Sequence, residues 1–205
     1  MQWSAFFKNK YLRGEFIISI IILLVTLFVF TRFLNFNESR EGAALPDPVL
    51  HFFDAIDLTW FIFCLIYFSL IVVLIDLIGD PKRLVFAMQC YTLLLLVRML
   101  MMYLTPLNPP EGMIALNDPF VQMFGAGHEL TKDLFFSGHT ATIFLFYLFS
   151  TKKLLKIFFL SSSILVGVFV LLQHVHYTVD VISAPFFAYV SYRLIYLLQE
   201  RKVSP

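Results

Sequence analysis

The stretch FIISIIILLVTLFVF, Phe16–Phe30, contains no charged residue. A helix needs roughly 20 mostly apolar residues to cross the hydrocarbon core of a bilayer. With its flanks, over Glu15–Leu34, the stretch is long enough to do so, and it is too long for the core of a typical signal peptide. We therefore predict a retained membrane span near the start of the chain.

The rest of the chain repeats this apolar pattern. Of its 205 residues 60% are hydrophobic and only 14% are charged, and the mean hydropathy is +0.82. A soluble domain of this length carries far more charge. Five further segments have the length and composition of spans: Ala55–Asp76, Leu84–Leu104, Leu134–Ser150, Leu154–Gln173 and Val179–Leu198. The prediction is an all-α polytopic membrane protein, one domain over residues 1–205 with six transmembrane helices in a bundle.

The connections between these segments alternate in charge. Basic residues dominate at Lys8, Lys10 and Arg13, at Lys82 and Arg83, at Lys152, Lys153 and Lys156, and at Arg201 and Lys202. Acidic residues outnumber basic ones in the other connections. By the positive-inside rule both termini then face the cytoplasm. The formal net charge of +1 gives no case for nucleic-acid binding, and the sequence contains nothing that sets an oligomeric state.

Two short polar motifs stand at the edges of apolar segments on the predicted outer side. They are Ser137-Gly138-His139-Thr140 and His176-Tyr177-Thr178-Val179-Asp180. The first lies at a predicted helix start, where free backbone N–H groups and the helix dipole favour a phosphate. Ser137 and Gly138 let the backbone approach an anion closely, and His139 can donate a proton to it. The pattern is typical of a phosphoryl-transfer site.

The second motif predicts an oriented histidine. Residues four apart share one face of a helix, which would bring His176 and Asp180 together. A carboxylate bonded to one imidazole nitrogen fixes the tautomer, so the other nitrogen is left as a nucleophile or base. An acidic residue in a membrane helix is costly, which makes Asp180 a functional candidate, and the same reasoning applies to Arg98 in the third predicted span.

Simpler interpretations stay open for several of these residues. His51, His128 and His174 are expected to be interfacial polar residues. Arg98 has the alternative of pairing with an acidic residue between helices. A metal site built from His139, His174, His176 and Asp180 needs a non-helical turn, because residues two apart on a helix face different ways. Cys64 and Cys90 lie in apolar segments and predict neither a disulfide framework nor a zinc site.

The two motifs resemble those of the sphingomyelin synthase family, within the superfamily of type 2 phosphatidic acid phosphatases. Leu45-Pro46-Asp47 resembles the family's first motif, Pro-Leu-Pro-Asp, with Ala44 in place of its first proline. Arg98, Tyr103, Thr105 and Leu107, followed by prolines, resemble its second motif. Asp133 matches an acidic residue ahead of the Ser-Gly-His-Thr run. The resemblance extends from about Leu45 to Asp180, with the motifs in the family's order.

The resemblance implies a catalytic triad of His139, His176 and Asp180. His176 would attack the phosphorus of a phospholipid head group, and His139 would protonate the departing oxygen. For substrate binding the expectation adds Asp47, Arg98, Tyr103, Lys132, Asp133, Ser137, Gly138 and Thr140. The assignment of Arg98 and Lys132 to phosphate charge comes from chemistry more than from the family. No cofactor and no resident metal are expected.

The implied function is transfer of a phosphocholine or phosphoethanolamine-type group from a glycerophospholipid to ceramide, diacylglycerol or a similar lipid alcohol. Membrane lipids would then be both donor and acceptor. The alternative is a lipid phosphatase or phospholipase C-type hydrolase, which would use the same residues with water as acceptor. A non-catalytic transporter or scaffold is a third class, disfavoured by the intact histidines and aspartate. The short chain is typical of a bacterial relative, with the site on the outer side of the cytoplasmic membrane. The first and third motifs of the phosphatase branch, rich in lysine and arginine, are not present here.

Overall fold

The computed structural model describes residues 3–117 and 130–203, and for 201–203 it describes the backbone alone. The regular structure in this part of the chain is helical. Seven α-helices follow one another: α1 Trp3–Lys8, α2 Lys10–Glu38, α3 Thr59–Ile78, α4 Pro81–Leu104, α5 Gly138–Phe149, α6 Lys153–Leu172 and α7 Thr178–Val203. A short 3-10 turn covers Leu50–Phe52. Within the described residues no strand forms, and the all-α prediction is confirmed. The predicted long loop before Ser137 lies partly outside the described residues, at 118–129, and His128 with it.

Five of these helices, α2, α3, α4, α6 and α7, are long and apolar enough to cross a membrane. Their length and composition indicate a multi-pass membrane protein. Each of the five begins and ends within five residues of its predicted boundaries, and polar caps extend two of them at the start. Asn9 caps α2 by accepting the backbone N–H groups of Tyr11 and Leu12, and Asp80 caps α4 ahead of Pro81. The fourth predicted span, Leu134–Ser150, corresponds to the shorter helix α5, so the six-span arrangement stays a prediction.

The start of the fourth predicted span is wrong by four residues. Leu134–Phe136 is irregular, because Phe135 and Phe136 have positive φ values of 64° and 47°. Ser137 then caps α5 by accepting the Thr140 N–H. The 12 residues of α5 span about 18 Å, against a hydrocarbon core of about 30 Å. The first motif is buried in the bundle, and irregular backbone is tolerated there because it is surrounded by protein.

Helix α5 is the centre of the bundle and packs against α6 and α7, while α2 packs on α4 and α3 on α6. Gly167 lies at the tightest of these junctions. A Cβ on Gly167 would meet Cγ1 of Val181 at 2.9 Å and the Thr140 side chain at 3.6 Å. Ser163 also donates to the Thr140 carbonyl at 3.1 Å. These contacts hold the start of α5 against the first turn of α7, where the second motif lies.

Candidate active site

The buried pair His176 and Asp180 forms the core of the candidate site. Nδ1 of His176 lies 3.2 Å from Oδ2 of Asp180, and the two residues are 1% and 0% exposed. An ionised carboxylate only accepts hydrogen bonds, so a neutral imidazole in this contact has its proton on Nδ1 and its lone pair on Nε2. This is the arrangement of an oriented nucleophile or base.

The predicted reason for this contact was wrong. Helix α7 begins at Thr178, so His176 precedes the helix rather than sharing a face with Asp180. The two residues meet because Oδ2 of Asp180 also accepts the backbone N–H of Tyr177 at 3.2 Å. This side-chain cap curls residues 176–177 back over the first turn of α7, and the ring of His176 follows.

A backbone hydrogen bond joins the two motifs. The N–H of Ser137 donates to the carbonyl of Asp180 at 2.9 Å. The start of α5, with His139 in its first turn, is thereby fixed against the start of α7. His139 is half-buried, while Ser137, Gly138 and Thr140 are buried. The structure thus brings the two halves of the predicted catalytic set to the same end of the bundle.

Arg98 lies directly against the first motif. Its guanidinium occupies the space beside Gly138, where a Cβ would overlap Nη1 and Cζ. Nη2 pairs with Asp133 Oδ1 at 2.9 Å, and the residue is 7% exposed. Its Nε is buried and makes no hydrogen bond within the described residues. A buried, charged donor beside a helix start is suited to an oxyanion, and only glycine at position 138 leaves room for it.

The turn before Ser137 is strained and held by aromatic packing. Left-handed backbone at a non-glycine residue costs of order 1–3 kcal/mol. Phe136 is fully buried and stacks on Phe187 of α7, with ring centroids 4.5 Å apart, and Phe135 meets the same ring edge-on at 6.3 Å. The burial of Phe136 offsets the strain and directs the chain sharply into the start of α5.

Two predicted substrate-binding residues have other contacts. Lys132 donates from Nζ to the carbonyl of Arg40 at 2.6 Å. Glu38, at the end of α2, accepts the N–H groups of Thr131 and Lys132 at 2.9 Å each. Tyr103 is 54% exposed, with Arg40 4.9 Å above its ring. Glu38 therefore fastens the segment ahead of the first motif to the end of α2, and Lys132 binds the chain just after it. Neither the Lys132 nor the Tyr103 contacts reach the histidine pair.

Asp47 caps α7 from a distant loop. Its carboxylate accepts the backbone N–H of Thr178 at 2.6 Å and the Thr178 hydroxyl at 3.0 Å. Burial acts to raise the pKa of Asp47, but the hydrogen bonds from Thr178 and Val49 outweigh it and hold the pKa below its usual value of 3.8. Asp47 thus supports the backbone beside His176.

The pKa of Asp47 predicts an acid dependence of stability. Because the folded pKa lies below 3.8, the ionised carboxylate stabilises the fold above that value, and the contribution is lost as the pH falls through 3.8 towards the folded pKa. Asp47→Asn should reduce the acid-induced fall in the thermal unfolding temperature of the purified protein in detergent. The matched control is Asp54→Asn, at an exposed position. This variant should keep the parent's slope of unfolding temperature against pH. Equal slopes for both variants would contradict the capping role.

Two buried residues that the sequence analysis did not select join the loops around the site. Tyr177 accepts the Leu45 N–H at 3.2 Å and donates to the Asn108 carbonyl at 3.0 Å through its hydroxyl. Burial raises the pKa of this tyrosine above its ordinary value, which keeps the hydroxyl protonated. The side chain of Gln173 binds Leu58, Thr59 and Ile114. A polar residue at the end of an apolar run was the only signal for Gln173.

The turn at 173–177 is non-helical, which was the condition for a metal site that includes His174 and His176. His174 has a φ of 56°, and its Nδ1 instead lies 2.9 Å from the carbonyl of Glu111. In residues 3–117 and 130–203 no three His, Cys, Asp or Glu side chains converge as metal ligands. His174 is 6% exposed and anchors the loop after α4 through this contact, and its position at the membrane interface stays a prediction.

The arrangement combines an oriented histidine, a second histidine in a helix start and a buried guanidinium. Such a set can attack a phosphorus, move a proton and hold oxyanion charge. A comparison with curated proteins gives no match to the chain. A comparison with family models matches residues 132–198 to the PAP2 superfamily C-terminal domain. The matched segment covers about a third of the chain and contains both histidine motifs, and it is similar to the C-terminal part of the PAP2 superfamily.

Proposed function

We propose that this protein transfers a phosphorylated head group between lipids through a phosphohistidine on His176. The observation that carries the proposal is the buried His176–Asp180 contact of 3.2 Å, joined to the helix start of Ser137 by a 2.9 Å backbone bond. Similarity of residues 132–198 to the PAP2 superfamily C-terminal domain supports phosphoryl chemistry there. The motif resemblance to the sphingomyelin synthases adds the transferase reaction.

In the proposed first step Nε2 of His176 attacks the phosphorus of a glycerophospholipid. The bond from phosphorus to the diacylglycerol oxygen breaks, and His139 gives that oxygen its proton. The head group is then bound to His176, and Asp180 stabilises the positive charge that the ring acquires. In the second step the hydroxyl of ceramide or diacylglycerol attacks the phosphorus, passes its proton to His139 and releases His176.

Arg98 is our candidate for the phosphate oxygens in both steps. Its buried Nε, which no described residue accepts from, and its position beside Gly138 support this role. Asp133 would hold the guanidinium in place through the 2.9 Å ion pair. Asp47 and Lys132 act in this proposal as positioning residues for α7 and for the segment ahead of α5, since their polar groups are engaged there.

We further propose that the site faces the extracytoplasmic side of a bacterial inner membrane. The alternation of basic and acidic connections supports this orientation. Lys82, Arg83, Lys152 and Lys156 lie at the end of the bundle opposite to the histidines.

A head-group-labelled phospholipid distinguishes the transferase from the hydrolase. Purified protein in detergent is given phosphatidylcholine or phosphatidylethanolamine labelled in the phosphate, with and without ceramide or diacylglycerol. We expect the label to appear on the added lipid alcohol, at least about 10⁴-fold faster than with His176→Ala. If the label appears only in soluble products, the reaction is hydrolysis rather than transfer. No turnover of any donor above the His176→Ala level would contradict both reactions.

A further inference from the structure

A polar cavity, open on one side, lies at the end of the bundle opposite to the histidines. Its volume is about 580 Å³, and it is lined by the ends of α3, α5 and α7 and the starts of α4 and α6. Three cations line it, Lys82, Arg83 and Lys156, and no aspartate or glutamate is among its described lining residues. The reaction proposed for the histidines uses none of these groups.

The acidic groups nearby leave this cavity positively charged. Asp76, whose side chain is 4% exposed, lies 2.7 Å from Nη2 of Arg83 and 2.9 Å from Nζ of Lys152. One carboxylate therefore meets two cations. Arg83 is further fixed by its 2.9 Å hydrogen bond to the Phe149 carbonyl. Asp80, beside Lys82, accepts the backbone N–H of that lysine at the start of α4. Glu200 is hydrogen-bonded to the lining residue Tyr196. Four cations, Lys82, Arg83, Lys152 and Lys156, thus stand against three carboxylates.

The lining matches the chemistry of a phosphate group. Guanidinium and ammonium groups together bind phosphate oxygens with charge-assisted hydrogen bonds. Thr151 and Gln199 add polar side chains, and Leu77 and Phe86 place apolar surface beside the cations. The volume is within the range of sites that enclose small ligands, about 300–1,000 Å³.

We propose that this cavity binds the phosphate group of an anionic ligand, either a phospholipid head group or a soluble phosphate. The site is independent of the proposed reaction at His176. Its role would be to hold an anion at the end of the bundle where the chain's basic connections lie.

The test measures thermal unfolding of the full chain in neutral detergent. The ligands are phosphatidylglycerol, phosphatidylcholine and inorganic phosphate, titrated separately. A ligand that binds the folded state raises the unfolding temperature with concentration. We expect phosphatidylglycerol or phosphate to do so, and Lys82→Gln/Lys156→Gln to need about tenfold more ligand for the same rise.

The matched control is Lys10→Gln/Lys153→Gln, which removes the same two charges from exposed positions outside the cavity lining. It should keep the parent's response. Since phospholipids also enter the histidine site in the proposed reaction, the difference between the two double variants is the readout. If the cavity variant does not fold, Lys156→Gln and Lys153→Gln, both on α6, provide the same comparison.

The outcomes separate the two sources of phosphate. The site is assigned to a lipid head group if phosphatidylglycerol raises the unfolding temperature of the parent but not of the cavity variant, and inorganic phosphate raises neither. A response to inorganic phosphate that the cavity variant loses assigns it to a soluble anion. The proposal would be overturned if phosphatidylglycerol and phosphatidylcholine raised the unfolding temperature equally. It would also be overturned if both double variants needed the same ligand concentration for the same rise.

Discussion

Replacement of His176 with alanine is expected to reduce head-group release from a phospholipid by at least about 10⁴-fold, because it removes the attacking nitrogen. Asp180→Asn keeps the shape of its side chain but removes the charge that faces the ring at 3.2 Å. We expect that variant to lose between about 10² and 10⁴ in rate. The measurement is release of labelled diacylglycerol from the donor lipid at equal amounts of folded protein.

Both residues are buried, so stability must be measured beside activity. Thermal unfolding of each variant identifies losses that come from misfolding rather than from chemistry. The control is His51→Ala, which changes an exposed histidine in the 3-10 turn and should leave the rate within about twofold of the parent. A His176→Ala protein that unfolds like the parent and keeps its turnover would remove His176 from the mechanism.

An activated donor separates the roles of the two histidines. The nitrophenyl esters of phosphocholine and phosphoethanolamine release nitrophenolate, which leaves without a proton. His139→Ala should therefore recover most of its rate with the ester, while His176→Ala should not. Equal recovery by both variants would contradict the division into nucleophile and acid.

The second large effect is expected at Gly138. A methyl group there would overlap the guanidinium of Arg98, so Gly138→Ala must displace that side chain from the start of α5. Loss of one positioned charge donor costs about 10²–10³ in rate at comparable sites. We expect such a loss in turnover with a small change in unfolding temperature, because the displaced atoms are the end of a flexible side chain. Gly14→Ala is the matched control, since a Cβ there meets nothing within 4 Å.

A double-mutant cycle tests whether this effect passes through Arg98. If Gly138→Ala acts by moving the guanidinium, Arg98→Gln should cost a similar factor, and the double variant should be little slower than either single one. Two independent losses that multiply would show that the methyl group acts by another route. The cycle needs only relative rates with one donor lipid.

The membrane segments could be predicted from sequence because their signal is local. Fifteen consecutive uncharged residues, such as Phe16–Phe30, leave few alternatives to a membrane helix, and neighbouring structure hardly alters that preference. The helix boundaries were less certain, because caps such as Asn9 and Asp80 extend helices beyond the apolar run.

The irregular backbone at the site could not be predicted in the same way. Nothing in the local sequence distinguishes Phe135 and Phe136 from residues of a helix. Their left-handed conformation depends on stacking against Phe187, about fifty residues later. The space beside Gly138 depends equally on Arg98, in another helix. Local propensity carries no information on such distant partners.

By itself the sequence determined an all-helical membrane protein, with two histidine motifs and an arginine as candidates for phosphoryl chemistry. Only the tertiary structure decided that His176 precedes its helix, that Asp180 holds it through a cap, and that Asp47 secures the same turn from a distant loop. The physical reason is the range of the interactions. An apolar run favours a membrane helix through the residues of that run alone. The site instead depends on hydrogen bonds and packing between segments that meet only when the bundle has formed.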